Sequence, residues 1–188
     1  FPVVGILIGL ISGSFFWFLS LFMLPLLASV LTIGLSVLVT GAFHEDGLAD
    51  TFDSFGAFEI EKRLGIMKDS RIGTFGTLAL FINVIESVAA LSSLKAEEGL
   101  FAIILAHSLS REASIFVLIT VKPAKQDGLG SSYSIYSSRI KVFLVTAIFI
   151  LFSSSLGLFG LISSVALLLI AFCSKPVSYT HLTLPTKA

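Results

Sequence analysis

The sequence predicts an all-α protein, a polytopic integral membrane helical bundle with about six transmembrane helices. Three observations predict it. Hydrophobic residues make up 55% of the 188 positions and charged residues only 13%, a balance that soluble domains of this size do not reach. Phenylalanine alone occurs 18 times. Apolar runs of membrane-crossing length recur along the chain, separated by short polar connections.

Val3 to Leu24 is apolar apart from Ser12, Ser14 and Ser20. At about 1.5 Å per residue, a helix over 3–24 crosses a hydrocarbon core about 30 Å thick. Pro25 breaks the pattern, and a second, slightly short span is expected over 26–43, running directly into an acidic stretch. Residues 54–69 turn polar, with Ile60, Leu64 and Met67 at i, i+4 and i+7 and Lys62, Arg63 and Lys68 beside them. That pattern fits a helix lying in the membrane interface, or equally an ordinary amphipathic surface helix. Ser70 is the expected N-cap of a third span over 72–94, whose free N–H groups, with Lys68 and Arg71, would suit a phosphate.

A fourth span over 99–121 carries His107, Arg111 and Glu112 in its interior. Charges at that depth face a cavity, a partner or a substrate path and not lipid. Arg111 has two readings, a substrate contact or an interhelical pair with Glu86, and His107 reads as a packed helix residue. The connection 122–141 holds Pro123, Asp127-Gly-Leu-Gly130 and a run of serines and tyrosines, which predicts a mobile loop. An apolar hairpin of two further spans, 142–156 and 158–173, closes a membrane domain over 1–173. The polar string 174–188 is expected to be a non-native tail, and the start at Phe1 suggests that the natural N-terminus lies upstream.

Charge and cysteine content exclude several classes. Twelve basic residues balance twelve acidic ones, so there is no surplus for nucleic acid. Cys173 is the sole cysteine, which excludes an internal disulfide and a cysteine-based zinc site. Lys62, Arg63, Lys68, Arg71, Lys122, Lys125, Arg139 and Lys141 fall in the loops 44–71 and 122–141, against Lys95 alone on the opposite side. Both long loops are therefore expected on the cytoplasmic face of the membrane.

The chemistry concentrates in Thr40-Gly-Ala-Phe-His-Glu-Asp-Gly-Leu-Ala-Asp-Thr-Phe-Asp53. If this stretch is helical, Asp46, Asp50 and Asp53 share a face about 60° wide, with Glu45 pointing away. Unpaired carboxylates side by side repel, so the arrangement calls for a cation between them unless the stretch is only a solvated loop. Hard oxygen ligands suit Mg²⁺ or Mn²⁺, and Mg²⁺ keeps positions for water and substrate phosphate, which points to phosphate or diphosphate chemistry. Gly47 within the stretch suggests close approach of something to the backbone.

These residues, followed by Met67-Lys-Asp-Ser-Arg-Ile-Gly-Thr-Phe-Gly76, resemble the cobalamin synthase family, also called adenosylcobinamide-GDP ribazoletransferases. Ser110-Arg111 and Asp127-Gly-Leu-Gly130 resemble further landmarks of that family, so the likeness runs over about residues 1–173. The resemblance implies an enzyme that joins α-ribazole, or its 5′-phosphate, to the cobinamide-side phosphorus of adenosylcobinamide-GDP, with GMP leaving and Mg²⁺ required. It implies metal ligation by Asp46, Asp50 and Asp53, and a proton acceptor in Asp69 or Asp50. It also implies substrate contacts from His44, Lys68, Ser70, Arg71 and Arg111. His44 has a plainer alternative as a cap of the second span.

The pattern departs from the family at Glu45, where an apolar residue is usual, and at Ser54, where glycine is common. The family's later glycine-rich segment with Thr-Gly-Asp is not found here, so a C-terminally truncated member is expected. Two rival classes carry similar acids. A phospholipid-type alcohol phosphotransferase would show an Ala-Arg pair after its first Asp-Gly, which this chain does not. A cation or substrate transporter would use Glu86, His107, Arg111 and Glu112, with its acids at mid-membrane depth. The pattern leaves oligomerisation open.

Overall fold

A computed structural model describes residues 2–67, 69 and 71–120, with Ile140, Ala147 and Leu169 as isolated positions. Its elements are all helices: α1 (Pro2–Ser20), α2 (Pro25–Thr40), α3 (Phe43–Ser54), α4 (Ile60–Ile66), α5 (Thr74–Ser92) and α6 (Ala96–Thr120). The expected spans over 142–156 and 158–173 and the tail over 174–188 lie outside the described residues. The chain divides into two compact units, one over Ile6–His107 and the other made of Phe1–Gly5 with Ser108–Ala188. The packing described below belongs to the first.

The ends of each helix follow from local chemistry. α1 unwinds through tightened turns, in which Leu21 N–H donates to Phe18 O at 3.2 Å and Phe22 N–H to Leu19 O at 3.0 Å. Pro25 opens α2 within its first positions, where its missing N–H costs no helical bond. At the other end Gly41 adopts φ 67°, Ala42 N–H reaches Val37 O at 2.9 Å, and Gly41 N–H reaches Leu38 O at 3.2 Å. This is a Schellman stop. Ala42 then repeats the left-handed conformation at φ 57°, uncommon for a residue with a Cβ.

Two left-handed residues in succession turn the chain by 90° between α2 and α3. The second apolar run therefore does not continue into the acidic stretch as the sequence suggested. The break falls at Gly41, and the acids occupy their own helix. The polar segment after it contains only the seven-residue α4, tied by Arg63 Nε donating to Ala57 O at 2.6 Å. α5 starts at Thr74 with Gly73, not Ser70, at its N-cap. The α5–α6 turn ends in half a capping box, Lys95 N–H donating to the Glu98 carboxylate at 3.2 Å.

The core of this unit joins Phe16 and Leu19 of α1, Ala28 of α2, Leu91 of α5 and Ile103 of α6, with Phe15 and Ile33 packed on it. Glycines set the approach of α1 to α6. A Cβ at Gly9 would lie 2.6 Å from Ile104 Cα, one at Gly13 would lie 2.8 Å from Leu100 O, and one at Gly99 would overlap the Phe16 ring. Positions rising along α1 meet positions falling along α6, so the two helices run antiparallel. His107 is indeed packed, its Nε2 2.7 Å from Ser36 Oγ of α2. α5 packs chiefly on α3 and α2.

Among the described residues, α1 and α5 are each long and apolar enough to cross a membrane, and α2 with α3 makes a third if counted as one bent span. Leu7, Ile11, Phe18, Phe81, Ile82 and Ile85 expose large apolar side chains along α1 and α5, the surface lipid would cover.

Candidate functional site

The acidic stretch is helical, the condition under which its spacing gives the three aspartates a common face. α3 begins where Asp46 N–H donates to Ala42 O at 2.9 Å, and Glu45 and Asp46 occupy its first turn. Negative charge there complements the positive end of the helix dipole. Asp46 is exposed, while Asp50 and Asp53 are half-buried. Burial pushes the Asp50 carboxyl above the usual range, and the neighbouring charges of Asp46 and Asp53 push it further.

Asp53 has a different setting. Its carboxylate accepts the Gly73 N–H at 2.7 Å and the Gly76 N–H at 2.8 Å, bringing the end of α3 onto the start of α5. Ala49 beside it is buried, and its carbonyl oxygen faces Gly76. The first motif and the second thus meet at the mouth of α5.

Asp69 and Arg71 form a local clasp. Arg71 Nε donates to both Asp69 oxygens at 3.1 and 3.0 Å, Nη2 donates to Oδ2 at 2.6 Å, and the Arg71 backbone N–H reaches Oδ1 at 3.1 Å. Those hydrogen bonds from Arg71 hold the Asp69 carboxyl below its usual range. A carboxylate so engaged is a weaker proton acceptor than Asp50. The Arg71 side chain remains 88% exposed, so its outer face is accessible to an anion. His44 is also exposed and edges the Phe43 ring at 5.9 Å between centroids. Lys68 and Ser70 lie outside the described residues. Arg111 is buried in α6, as is Glu112, while Glu86 sits on the exposed side of α5.

No group of three His, Cys, Asp or Glu side chains converges at metal-ligand spacing among the described residues. Asp46 and Asp50, one helical turn apart on an open face, still fit a magnesium ion. Magnesium takes one or two carboxylates and fills its octahedron with water and phosphate oxygens. The space over Gly47 is open, since a Cβ there would have nothing within 4 Å. Among the described residues no group makes the close approach expected there, and the opening lies on the helix that carries the acids.

Sequence reasoning missed three features. Glu45 keeps its Oε2 buried without a hydrogen-bond partner, although the wheel already turned it away from the other acids. Ser36 engages His107 across 71 residues. Gly73 and Gly76 serve as partners of Asp53, and their three-residue spacing at a helix start was the available signal.

Residues 1–184 match the family described as cobalamin-5-phosphate synthase. A Clostridium tetani protein named adenosylcobinamide-GDP ribazoletransferase is 34% identical over 173 residues, covering 91% of this chain and 68% of the relative. Proteins of the same name from Albidiferax ferrireducens and Shewanella baltica (strain OS155) are 42% and 38% identical, covering 76% and 70% of this chain and 54% and 52% of their own lengths. The chain thus spans about half the length of most of these curated relatives and about two thirds of the clostridial one. No solved structure matches it.

Proposed function

The chain belongs to the cobalamin-5-phosphate synthase family, and from that premise we propose that it transfers the adenosylcobinamide-phosphate group of adenosylcobinamide-GDP to α-ribazole or its 5′-phosphate. A ribazole hydroxyl oxygen forms a bond to the cobinamide-side phosphorus. The bond from that phosphorus to the bridging oxygen breaks, GMP leaves with the electron pair, and the hydroxyl proton passes to a carboxylate. One observation supports the reading: Asp46, Asp50 and Asp53 follow one another at helical offsets on α3, Asp53 bonds the mouth of α5, and Asp50 is pushed up by burial and then by its two acidic neighbours.

The residues divide the work. Asp46 and Asp50 would hold Mg²⁺ for the diphosphate chemistry. When bound, that ion would neutralise phosphate charge and polarise the attacked phosphorus. Asp50 is favoured over Asp69 as proton acceptor, because Arg71 occupies Asp69 and lowers its basicity. Arg71, exposed beside the α5 mouth, contacts the charge that builds on the leaving GMP, assisted by Lys68 and Ser70. His44 and Arg111 keep the sequence-based expectation of substrate contacts, Arg111 with its alternative as an interhelical partner of Glu86. The 90° turn at Gly41 takes the acids out of line with α2, which argues against a transporter with acids at mid-membrane depth.

The protein is placed in the cytoplasmic membrane as a multi-pass bundle, with α3 and the α5 mouth on the cytoplasmic side, from the distribution of Lys and Arg. The decisive assay is GMP release from adenosylcobinamide-GDP and α-ribazole by the protein in proteoliposomes, with and without Mg²⁺. Turnover that requires Mg²⁺ is expected. Asp50→Asn should lower it on the order of 10²-fold or more. Activity within a few-fold of wild type across a magnesium titration would remove Asp50 from both roles.

A further inference from the structure

We infer that Asp53 is a positioning residue of this site, a latch that fixes the mouth of α5 against the acidic helix, and not one of the groups that meet the ligand. Its place in catalysis rests on the ribazoletransferase reading, but the latch itself does not.

The two carboxylate oxygens of Asp53 are divided between two backbone donors, Gly73 N–H at 2.7 Å and Gly76 N–H at 2.8 Å. Gly73 is the N-cap of α5 and makes no side-chain cap of its own. Helix starts leave such N–H groups without intrahelical partners, and a side-chain oxygen near the N-cap ordinarily satisfies them. Here the oxygens come from 20 and 23 residues earlier. The negative charge also faces the positive end of the α5 dipole.

Side chains on the α5 positions would spoil the fit. A Cβ on Gly73 would overlap the Asp53 carboxylate, and all three of its nearest neighbours are atoms of Asp53. A Cβ on Gly76 would overlap the same carboxylate and lie 2.8 Å from Ala49 O. One acid of the first motif and two glycines of the second therefore form a single lock, and Arg71 lies two residues before its first glycine.

This divides the aspartates by role. A cation placed on Asp53 would sit against two N–H dipoles pointing at it and against the positive end of α5, which opposes binding. Among the described residues Asp46 and Asp50 make no such contact, and Asp46 is the exposed member. Asp53 holds the two motifs in register, and the other two face what binds.

The test uses the protein in lipid nanodiscs with Asp53→Ala, Asp53→Asn, Gly73→Ala and the Asp53→Ala/Gly73→Ala double variant. Hydrogen exchange at the Gly73 and Gly76 amides needs no turnover, so it decides the latch even if no ribazole transfer is found. Protection is expected to fall about tenfold in Asp53→Ala and less in Asp53→Asn, which keeps one acceptor. Gly73→Ala should lose protection similarly, yet add nothing in the Asp53→Ala background, because its neighbours belong to Asp53. If Asp53→Ala does not fold, Asp53→Asn and Gly73→Ala carry the same comparison.

In the active enzyme, Asp53→Asn should raise KM for the nucleotide substrate and lower kcat, while half-saturating magnesium stays within about twofold of wild type. Asp50→Asn should move that magnesium requirement. Unchanged exchange in Asp53→Ala, additive effects in the double variant, or a magnesium shift in Asp53→Asn as large as in Asp50→Asn would each overturn the latch.

Discussion

At the scale of single residues, the role proposed for Asp50 works against stability. Its carboxyl is raised by burial first and by Asp46 and Asp53 next. A raised carboxyl favours the folded state most when protonated, so this contribution is fully present below the ordinary value of 3.8. It is lost as pH rises through the higher folded value, and at neutral pH the ionised group is a net cost. Asp50→Asn should therefore raise the thermal midpoint without divalent cation, by about 1–2 °C for relief worth on the order of 0.5 kcal/mol. It should also reduce any stabilisation that added Mg²⁺ gives the wild type; a wild-type-sized magnesium shift would mean that the ion does not use Asp50. Asp69 behaves in the opposite sense. Hydrogen bonds from Arg71 lower its carboxyl, so its contribution is present above 3.8 and lost as pH falls through the folded value. Asp69→Asn should keep turnover within a few-fold, whereas a proton acceptor would lose on the order of 10²-fold. Spacing made the three acids legible, since offsets of four and seven define one helical face. The partners of Asp53 were not legible, because a bond spanning 20 residues leaves no local pattern.

Among the elements, glycine has opposite consequences according to what surrounds it. Gly9 and Gly13 let α1 approach α6 so closely that a Cβ would lie 2.6 and 2.8 Å from backbone atoms. Gly34, inside α2, has nothing within 4 Å of where a Cβ would stand. Gly9→Ala should destabilise by about 1–3 kcal/mol, because the backbone of α6 must retreat. Gly34→Ala should stabilise by about 0.5–1 kcal/mol through helix propensity and reduced freedom of the unfolded chain. Thermal unfolding in one detergent compares them, and equal shifts would show that α1–α6 contact is not what Gly9 serves. The order of the four long apolar helices over 2–120 was readable from apolar runs and from Pro25. The break at Gly41 was not, since Val39 to Phe43 is compatible with a continuing helix and the left-handed Ala42 contradicts its own propensity. The start of α5 was also displaced, because Ser70 is a good local cap and the operative cap comes from α3.

For the whole molecule, the controlling question is which ends of the helices share a membrane face. α5 has 19 residues, about 28 Å of helix against a hydrocarbon core about 30 Å thick, so crossing places its two ends on opposite sides. The chain before α5 carries Lys62, Arg63, Lys68 and Arg71, and the turn after it carries Lys95 alone. On the proposed reading, the basic excess puts the α3–α5 junction, and with it the acidic face, on the cytoplasmic side. Phe58 is 99% exposed between α3 and α4, and Lys95 is exposed in the α5–α6 turn. After Cys173→Ser removes the sole native thiol, Phe58→Cys and Lys95→Cys report the two ends of α5 to a membrane-impermeant maleimide. Lys95→Cys should react on intact cells, and Phe58→Cys only after the membrane is opened. The reverse pattern would put the acidic helix away from the nucleotide pool and defeat the proposed reaction. Equal reaction of both from the outside would mean that α5 does not cross, leaving its exposed Phe81, Ile82 and Ile85 to be covered by something other than lipid.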